Sequence, residues 1–395
     1  MEFISSYSMS RLYQIGYMTM PMTIERSDLY CILYIFRSQI IYTSDMFQDS
    51  ELIWPALEML LKVLGWIFWA LVLLWAMGGV LNFPGSQFTL GIVLLVVVLG
   101  GLFGAAAYWG NRAIFIYGIW FFDLVVLLAL WTIQPRSDRV WAADMERGIS
   151  VRYVDDVAIL RNVRDFRYDT ESDFEADWVE RRIPLGGLQK VWLGVEQIAA
   201  WEGVAHVFVT FEYVDEQQQS QALAVSAEIH RQQGEEFAVF PGLYRNFELT
   251  YVVGTERDLI GLRTHVRVDP VRLYPLEIDR VGVKNLFEDV LRRAEKLQVE
   301  PEFYHTITNN CASNMLYHLN KLAPSPVSKW DKRVIFSGLV DRIAYSLDVV
   351  PDVSSLEEMR AKYLVNIANF ELDEQYSQKL RDVGFQHQNS PEVVQ

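Results

Sequence analysis

Three apolar runs follow one another near the start of this chain, and they constrain its fold more than any other feature. Val63 to Leu81 is 19 residues without a charge, Phe88 to Trp109 is 22 without a charge, and Ala113 to Ile133 is 21 with one, Asp123. A bilayer core of about 30 Å takes roughly 20 apolar residues as helix. The pattern therefore predicts three transmembrane helices within residues 55–133. Trp66, Trp69, Trp75, Trp109, Trp120 and Trp131 supply aromatics, several of them near the ends of the runs, where interface belts form. The first run is too long and too far from residue 1 for a cleaved signal peptide, and it lacks a small-residue cleavage site. Lys62 and Arg112 carry the positive charge of the short flanks, which places them on the cytoplasmic side. Three spans then put residue 134 onward outside. Asp123 is expected to face the small bundle, paired with a group such as Tyr117.

Residues 1–54 show no period and no motif. Met18, Met20, Met22, Met46 and Met59 make an over-called start an open alternative for this segment. The polar remainder has strand-like alternation at 149–160, 205–214, 222–231 and 247–253, with 271–276 as a shorter candidate. Helical periodicity covers 185–200, 283–297, 311–322, 335–347 and 355–369. Strands in the middle and helices towards the end suggest an α+β class. Residues 346–395 are expected to hold C-terminal helices and a polar tail from Gln386. The formal net charge of −15 argues against nucleic acid, whose binding needs Lys and Arg on phosphates. Two cysteines, Cys31 and Cys311, cannot make a disulfide framework. No His/Cys/Asp/Glu group has zinc-like spacing and no phosphate- or dinucleotide-binding glycine motif occurs, so neither metal nor cofactor is expected.

Chemistry concentrates on Cys311. The run Thr308-Asn309-Asn310-Cys311-Ala312-Ser313 reads as a polar loop turning into a helix, with the thiol at its first position. Unpaired N–H groups there favour a thiolate, the nucleophilic form, so a depressed pKa is expected. Upstream, His206 lies on a strand and shares a face with Phe208, Thr210 and Glu212, because side chains alternate. The next strand carries Ser226, Glu228 and His230 on one face and Val225, Ala227 and Ile229 on the other. An antiparallel hairpin would set Glu228 or Ser226 beside His206, where a carboxylate could hold an imidazole in its useful tautomer. The bland alternatives are a small buried thiol and a solvated strand face. His305, on the loop before Cys311, is the rival base. His318 lies two turns along the same helix, about 10 Å away. His265, among cations, suits a surface strand.

The pieces Asn162-Val163-Arg164-Asp165-Phe166-Arg167-Tyr168, the His206 strand, and Val225-Ser226-Ala227-Glu228-Ile229 resemble the Lnb N-terminal periplasmic domain family. So do Gly242-Leu243-Tyr244-Arg245, Glu248-Leu249-Thr250-Tyr251, Glu256-Arg257-Asp258, and Phe303-Tyr304 ahead of Asn309-Asn310-Cys311. The resemblance covers roughly residues 134–345. It implies a permuted papain-like (NlpC-like) thiol domain outside the cytoplasm, following the three membrane helices of a multi-pass bacterial inner-membrane protein. Cys311 would be the nucleophile, His206 its base and Glu228 the orienting group. The implied activity is acyl transfer or hydrolysis on a cell-envelope substrate, including lipoprotein N-acylation, with membrane lipid, lipoproteins or lipid acyl donors as partners. Lipoprotein N-acyltransferases of this family carry their membrane region after the catalytic domain, whereas here it precedes. The alternatives are a thiol amidase or peptidase, and a membrane-tethered binding or assembly factor with a degenerate site.

Overall fold

The computed structural model describes residues 50–82, 112–365 and 371–382, with positions 91, 98–101, 104–105 and 110 between them. Most of the expected N-terminal segment and of the second apolar run, and the polar tail, lie outside the described residues. The chain divides into two compact units, 1–71 and 72–395.

The described part of the first unit belongs to helix α1 (Ser50–Leu81). Its large side chains, among them Leu60, Leu64, Trp66, Phe68 and Leu71, are exposed. A helix that is apolar all round and unburied has its natural solvent in lipid. Over Pro55–Leu81 it is the one helix among the described residues long and apolar enough to cross a membrane. The third run forms α2 (Arg112–Thr132), whose apolar stretch Ile116–Thr132 falls short of that test. The expectation of three spans thus reduces to one among the described residues. Asp123 on α2 is buried, and neither carboxylate oxygen has a hydrogen-bond partner among the described residues; the expected partner Tyr117 is exposed.

Residues 150–365 build one mixed sheet of nine strands among the described residues. The strands are β1 (Ser150–Val154), β2 (Val157–Arg164), β5 (Trp178–Pro184), β6 (Leu188–Gln197), β7 (Ala205–Val214), β8 (Ser220–His230), β9 (Glu248–Thr255), β10 (Val271–Leu276) and β11 (Leu364–Val365). A small separate hairpin joins β3 (Arg167–Tyr168) and β4 (Phe174–Glu175). The order is β1-β2-β9-β8-β7-β6-β10-β11, with β5 also on β2. Pairing is antiparallel throughout except between β2 and β9. The helices are α3 (Glu256–Gly261), α4 (Arg280–Val299), α5 (Cys311–Leu319), α6 (Lys332–Ile335), α7 (Val340–Ser346), α8 (Leu356–Lys362) and α9 (Tyr376–Asp382).

Both faces of the sheet are covered, and this fixes the site. On one face, Val207, Val209 and Phe211 of β7 and Val225, Ala227 and Ile229 of β8 pack against α4 and α5. The stripe Val283, Leu286, Phe287, Val290, Leu291, Ala294, Leu297 on α4 has the spacing of an amphipathic helix laid on a sheet. On the other face, Phe208 and Trp192 pack against Ile260 of α3 and Tyr376 and Leu380 of α9.

Several expectations are corrected. Most of residues 185–200, read as helix, form β6, preceded by a short helical turn at Leu185–Gly187. Four consecutive apolar or small positions there, Val191 to Gly194, are buried, because this central strand is covered on both sides and so loses the alternation that marks a strand. The single strand expected over 149–160 is a hairpin that turns at Asp155-Asp156, with Asp155 at φ 51°. The helix expected over 355–369 ends at Lys362 and returns as β11 on β10. The segment around His265 is not a surface strand but a helical turn, Leu262–Val266, which buries Arg263.

Candidate functional site

Cys311 is the first residue of α5, where the sequence places it. Asn310 caps the helix by a reciprocal pair: its side chain accepts from the Ser313 N–H at 2.9 Å, and Ser313 Oγ accepts from the Asn310 N–H at 2.9 Å. The thiol is buried in the cluster that holds Val207, Ala227, Ala312 and Met315. Burial pushes the thiol up to about 11, and backbone hydrogen bonds at Val207 and Ala312 offset this only in part. The expected low thiol pKa is therefore reversed: a helix start lowers it, but desolvation wins because the helix start is packed against β7.

His206 points from the other face of that same strand. It shares its face with Phe208, which belongs to the opposite cluster, whereas Val207 faces Cys311. Its Nε2 lies 2.5 Å from Ser226 Oγ and 3.7 Å from Glu228 Oε1. The hairpin reasoning is right to bring these three together. Burial, helped by the nearby Arg263 charge, pushes the imidazole down to about 4, so it is neutral at pH 7. Burial pushes Glu228 up, but Arg263 and His206 outweigh it and hold the carboxyl at about 2.

The cluster lacks the geometry of a catalytic triad. An orienting carboxylate binds the imidazole nitrogen opposite the one that meets the nucleophile. Here Glu228 approaches the same Nε2 that meets Ser226. It also accepts from Arg263 Nη2 at 2.9 Å, so its charge is already matched. The structure joins His206, Ser226 and Glu228 and sets Cys311 across the sheet from them.

Arg263 organises this face, although in the sequence it is only one of the cations around His265. Its Nε donates to Glu196 Oε2 at 2.7 Å and its Nη1 to the Leu259 carbonyl at 2.6 Å. Beside it, Arg164 makes a two-pronged pair with Asp258, which also accepts from the Phe166 N–H at 2.8 Å and the Tyr168 hydroxyl at 3.3 Å. Asp165 accepts from the Thr255 hydroxyl at 2.6 Å. Three of the motifs that carry the resemblance, through Arg164 and Asp165, Glu228, and Arg257 and Asp258, thus converge as mutually paired charges. The available signal for Arg263 was its place five residues after Asp258, one helical turn and a half along.

Three further histidines are committed elsewhere. His305 Nδ1 accepts from the Ile307 and Thr308 N–H groups, so the rival base shapes its own loop. His318 is buried, with Nδ1 2.7 Å from Asp289 and Nε2 2.9 Å from the Tyr251 hydroxyl. His230 stacks on Trp141 with ring centroids 3.4 Å apart. No group of three His, Cys, Asp or Glu among the described residues could hold a metal ion. An apolar cavity of about 320 Å³ opens between α5 and α7, lined by Met315, Leu316, Leu319, Val340 and Ile343.

Residues 174–338 match the family model of the Lnb N-terminal periplasmic domain, the family the sequence resembles. No curated protein and no solved structure matches the chain. A long apolar N-terminal helix and a periplasmic domain together fit a membrane-anchored protein with a periplasmic domain.

Proposed function

We propose that this chain is a membrane-anchored factor of the bacterial envelope whose periplasmic domain binds or assembles an envelope component, with its thiol site closed. The observation that carries this reading is the sheet itself: β7 presents Val207 to Cys311 and His206 to the opposite face. A thiol pushed up to about 11 is protonated at neutral pH, and the histidine able to deprotonate it stands behind a strand. The buried charges around Arg263 serve to hold the sheet and α3 together. The C-terminal ends of α1 and α2 meet the same segment of the domain, at Tyr244 to Asn246. Two helices that end on one side support a multi-pass anchor in the inner membrane.

A second reading is favoured by the position of Cys311 at a capped helix start and by the family match. It is the thiol enzyme, an acyltransferase or hydrolase of permuted papain-like design, acting on lipoproteins or lipid acyl donors. It requires His206 to reach the face it now avoids, with Cys311 attacking an acyl carbonyl and a thioester resolved by an amine or by water. Complementation of a deletion strain by Cys311→Ser and His206→Gln separates the two. Full complementation by both supports the envelope factor. Loss in both, together with an acyl adduct on Cys311 in the membrane-extracted protein, establishes the enzyme and overturns the first reading.

A further inference from the structure

The loop before β9 carries an apolar tip that the fold leaves largely uncovered, although the Phe237 ring edges onto Tyr304 and Phe247. Phe237, Val239 and Phe240 are 44%, 50% and 70% exposed, and Ile307 on the neighbouring loop is 37% exposed. Large exposed apolar groups gathered in one place mark an interaction surface. What this surface meets follows from where it is fixed. Four residues on, Tyr244 packs with Ala76, Phe122, Val126 and Leu130 of α1 and α2, and its hydroxyl donates to the Trp75 carbonyl at 3.1 Å. Its ring sits where Gly78 and Gly79 leave α1 without side chains. Arg245 Nη1 donates to the Leu130 and Ile133 carbonyls at 3.3 Å each, and Asn246 donates to the Asn82 carbonyl at 2.6 Å. These bonds satisfy terminal carbonyls of both helices, groups that cannot be left bare near lipid.

We propose that the tip 237–240, with Ile307, inserts into the lipid surface of the membrane that anchors the chain. The tether brings it there: an apolar loop bonded to the ends of lipid-facing helices lies at the boundary of headgroups and acyl chains. Aromatic side chains are favoured at that depth. The loop is also tied to the entrance of α5. The Thr306 N–H donates to the Gly242 carbonyl at 3.1 Å and the Thr306 hydroxyl to the Val239 carbonyl at 2.8 Å. The Thr306 carbonyl in turn accepts from Asn310 Nδ2, the cap of α5, at 2.7 Å. Three hydrogen bonds therefore link the lipid-facing tip to the residue before Cys311. Membrane contact and the position of that loop are coupled.

The inference rests on the anchored reading, but not on which side the domain occupies nor on whether Cys311 reacts. It is tested on the full chain with Cys31→Ser and Cys311→Ser, carrying Phe240→Cys labelled with a nitrobenzoxadiazole fluorophore, in nanodiscs of phosphatidylethanolamine and phosphatidylglycerol. Gln217→Cys, at the other end of the β7–β8 hairpin, is the aqueous control. The label at 240 should emit to the blue of the control. It should be quenched at least twofold by lipids carrying a shallow doxyl group, and be shielded from iodide. Val239→Cys should behave like 240 and guards against a local effect of either change. If both labels are quenched by iodide as the control is, and untouched by doxyl lipid, the tip faces water and the inference fails. A topology reporter that finds the domain cytoplasmic would overturn the periplasmic reading while leaving this result standing.

Discussion

Replacing Arg263 with methionine should be among the most damaging single changes outside the hydrophobic clusters. Arg263 and Glu196 are almost fully buried, and Glu228 is nearly so. Methionine keeps much of the volume and removes the charge. Of its ion pairs Glu196 would retain Arg267 at 3.4 Å, itself a third exposed, while Glu228 would retain the Ser226 hydroxyl, the more distant charge of Arg164 and a neutral imidazole at 3.7 Å. Removing one partner of a buried pair costs about 3–5 kcal/mol, because the other is left charged and desolvated. For a unit of this size each kcal/mol moves the melting temperature by about 2–4 °C. The expected fall is therefore on the order of 10 °C, read by thermal unfolding of the full chain in detergent at pH 7.5. Two further measurements identify the cause. Adding Glu228→Gln to Arg263→Met should recover part of the loss, since it removes the orphaned charge. Acidification should also narrow the gap to the native chain. Arg263 is one of the charges holding His206 down. Without it His206 takes a proton at higher pH and can pair with Glu228. A loss below about 1 kcal/mol, on the scale of an exposed pair, would refute the argument. So would a deficit that does not change with pH and is not eased by Glu228→Gln.

Other outcomes follow from the same geometry. His206 and His230 are both pushed down to about 4 by burial, while unfolded histidine protonates near 6.5. The unfolded state binds more protons between those values, so stability should fall as pH falls from 6.5 towards 4. His206→Gln should flatten that slope, and an equally steep slope would count against it. In a Cys31→Ser background, Cys311 should resist iodoacetamide at pH 7.5 in the folded chain and react on unfolding, as judged by mass spectrometry. Ready labelling of the folded protein near neutrality would favour the thiol enzyme. A periplasm-dependent reporter fused after Gln395 should be active, and activity only from a cytoplasmic reporter would reverse the topology.

The alternation in β7 to β10 was strong enough in the sequence to place those strands nearly to the residue and to group His206 with Ser226 and Glu228. That grouping needed only the period of two and a short connection. The question it could not answer was which face α5 would cover. Val207 and His206 differ by one position, and each face offers buried residues, so local pattern does not tell them apart. β6 was misread for a related reason: burial on both sides removes the polar positions that show a strand's period. Arg263 looked like one cation among several beside His265. Its burial is set by Glu196 and Glu228, which come from two other strands far away in sequence. The helix start at Cys311 was legible because capping is local, but the thiol's protonation is not local, since it depends on what packs over it.

The partition made by β7 has a consequence for how such a chain could change. In an extended strand the side to which a residue belongs is a matter of parity. One residue inserted between His206 and Val207 would send the preceding side chain through the sheet, and leave Val207 and everything after it in place. A bulge at the start of β7 does the same without altering the sequence length. The step from a closed thiol to an imidazole facing Cys311 is therefore discrete. No series of small shifts in distance connects the two arrangements, and a chain of this design is in one state or in the other.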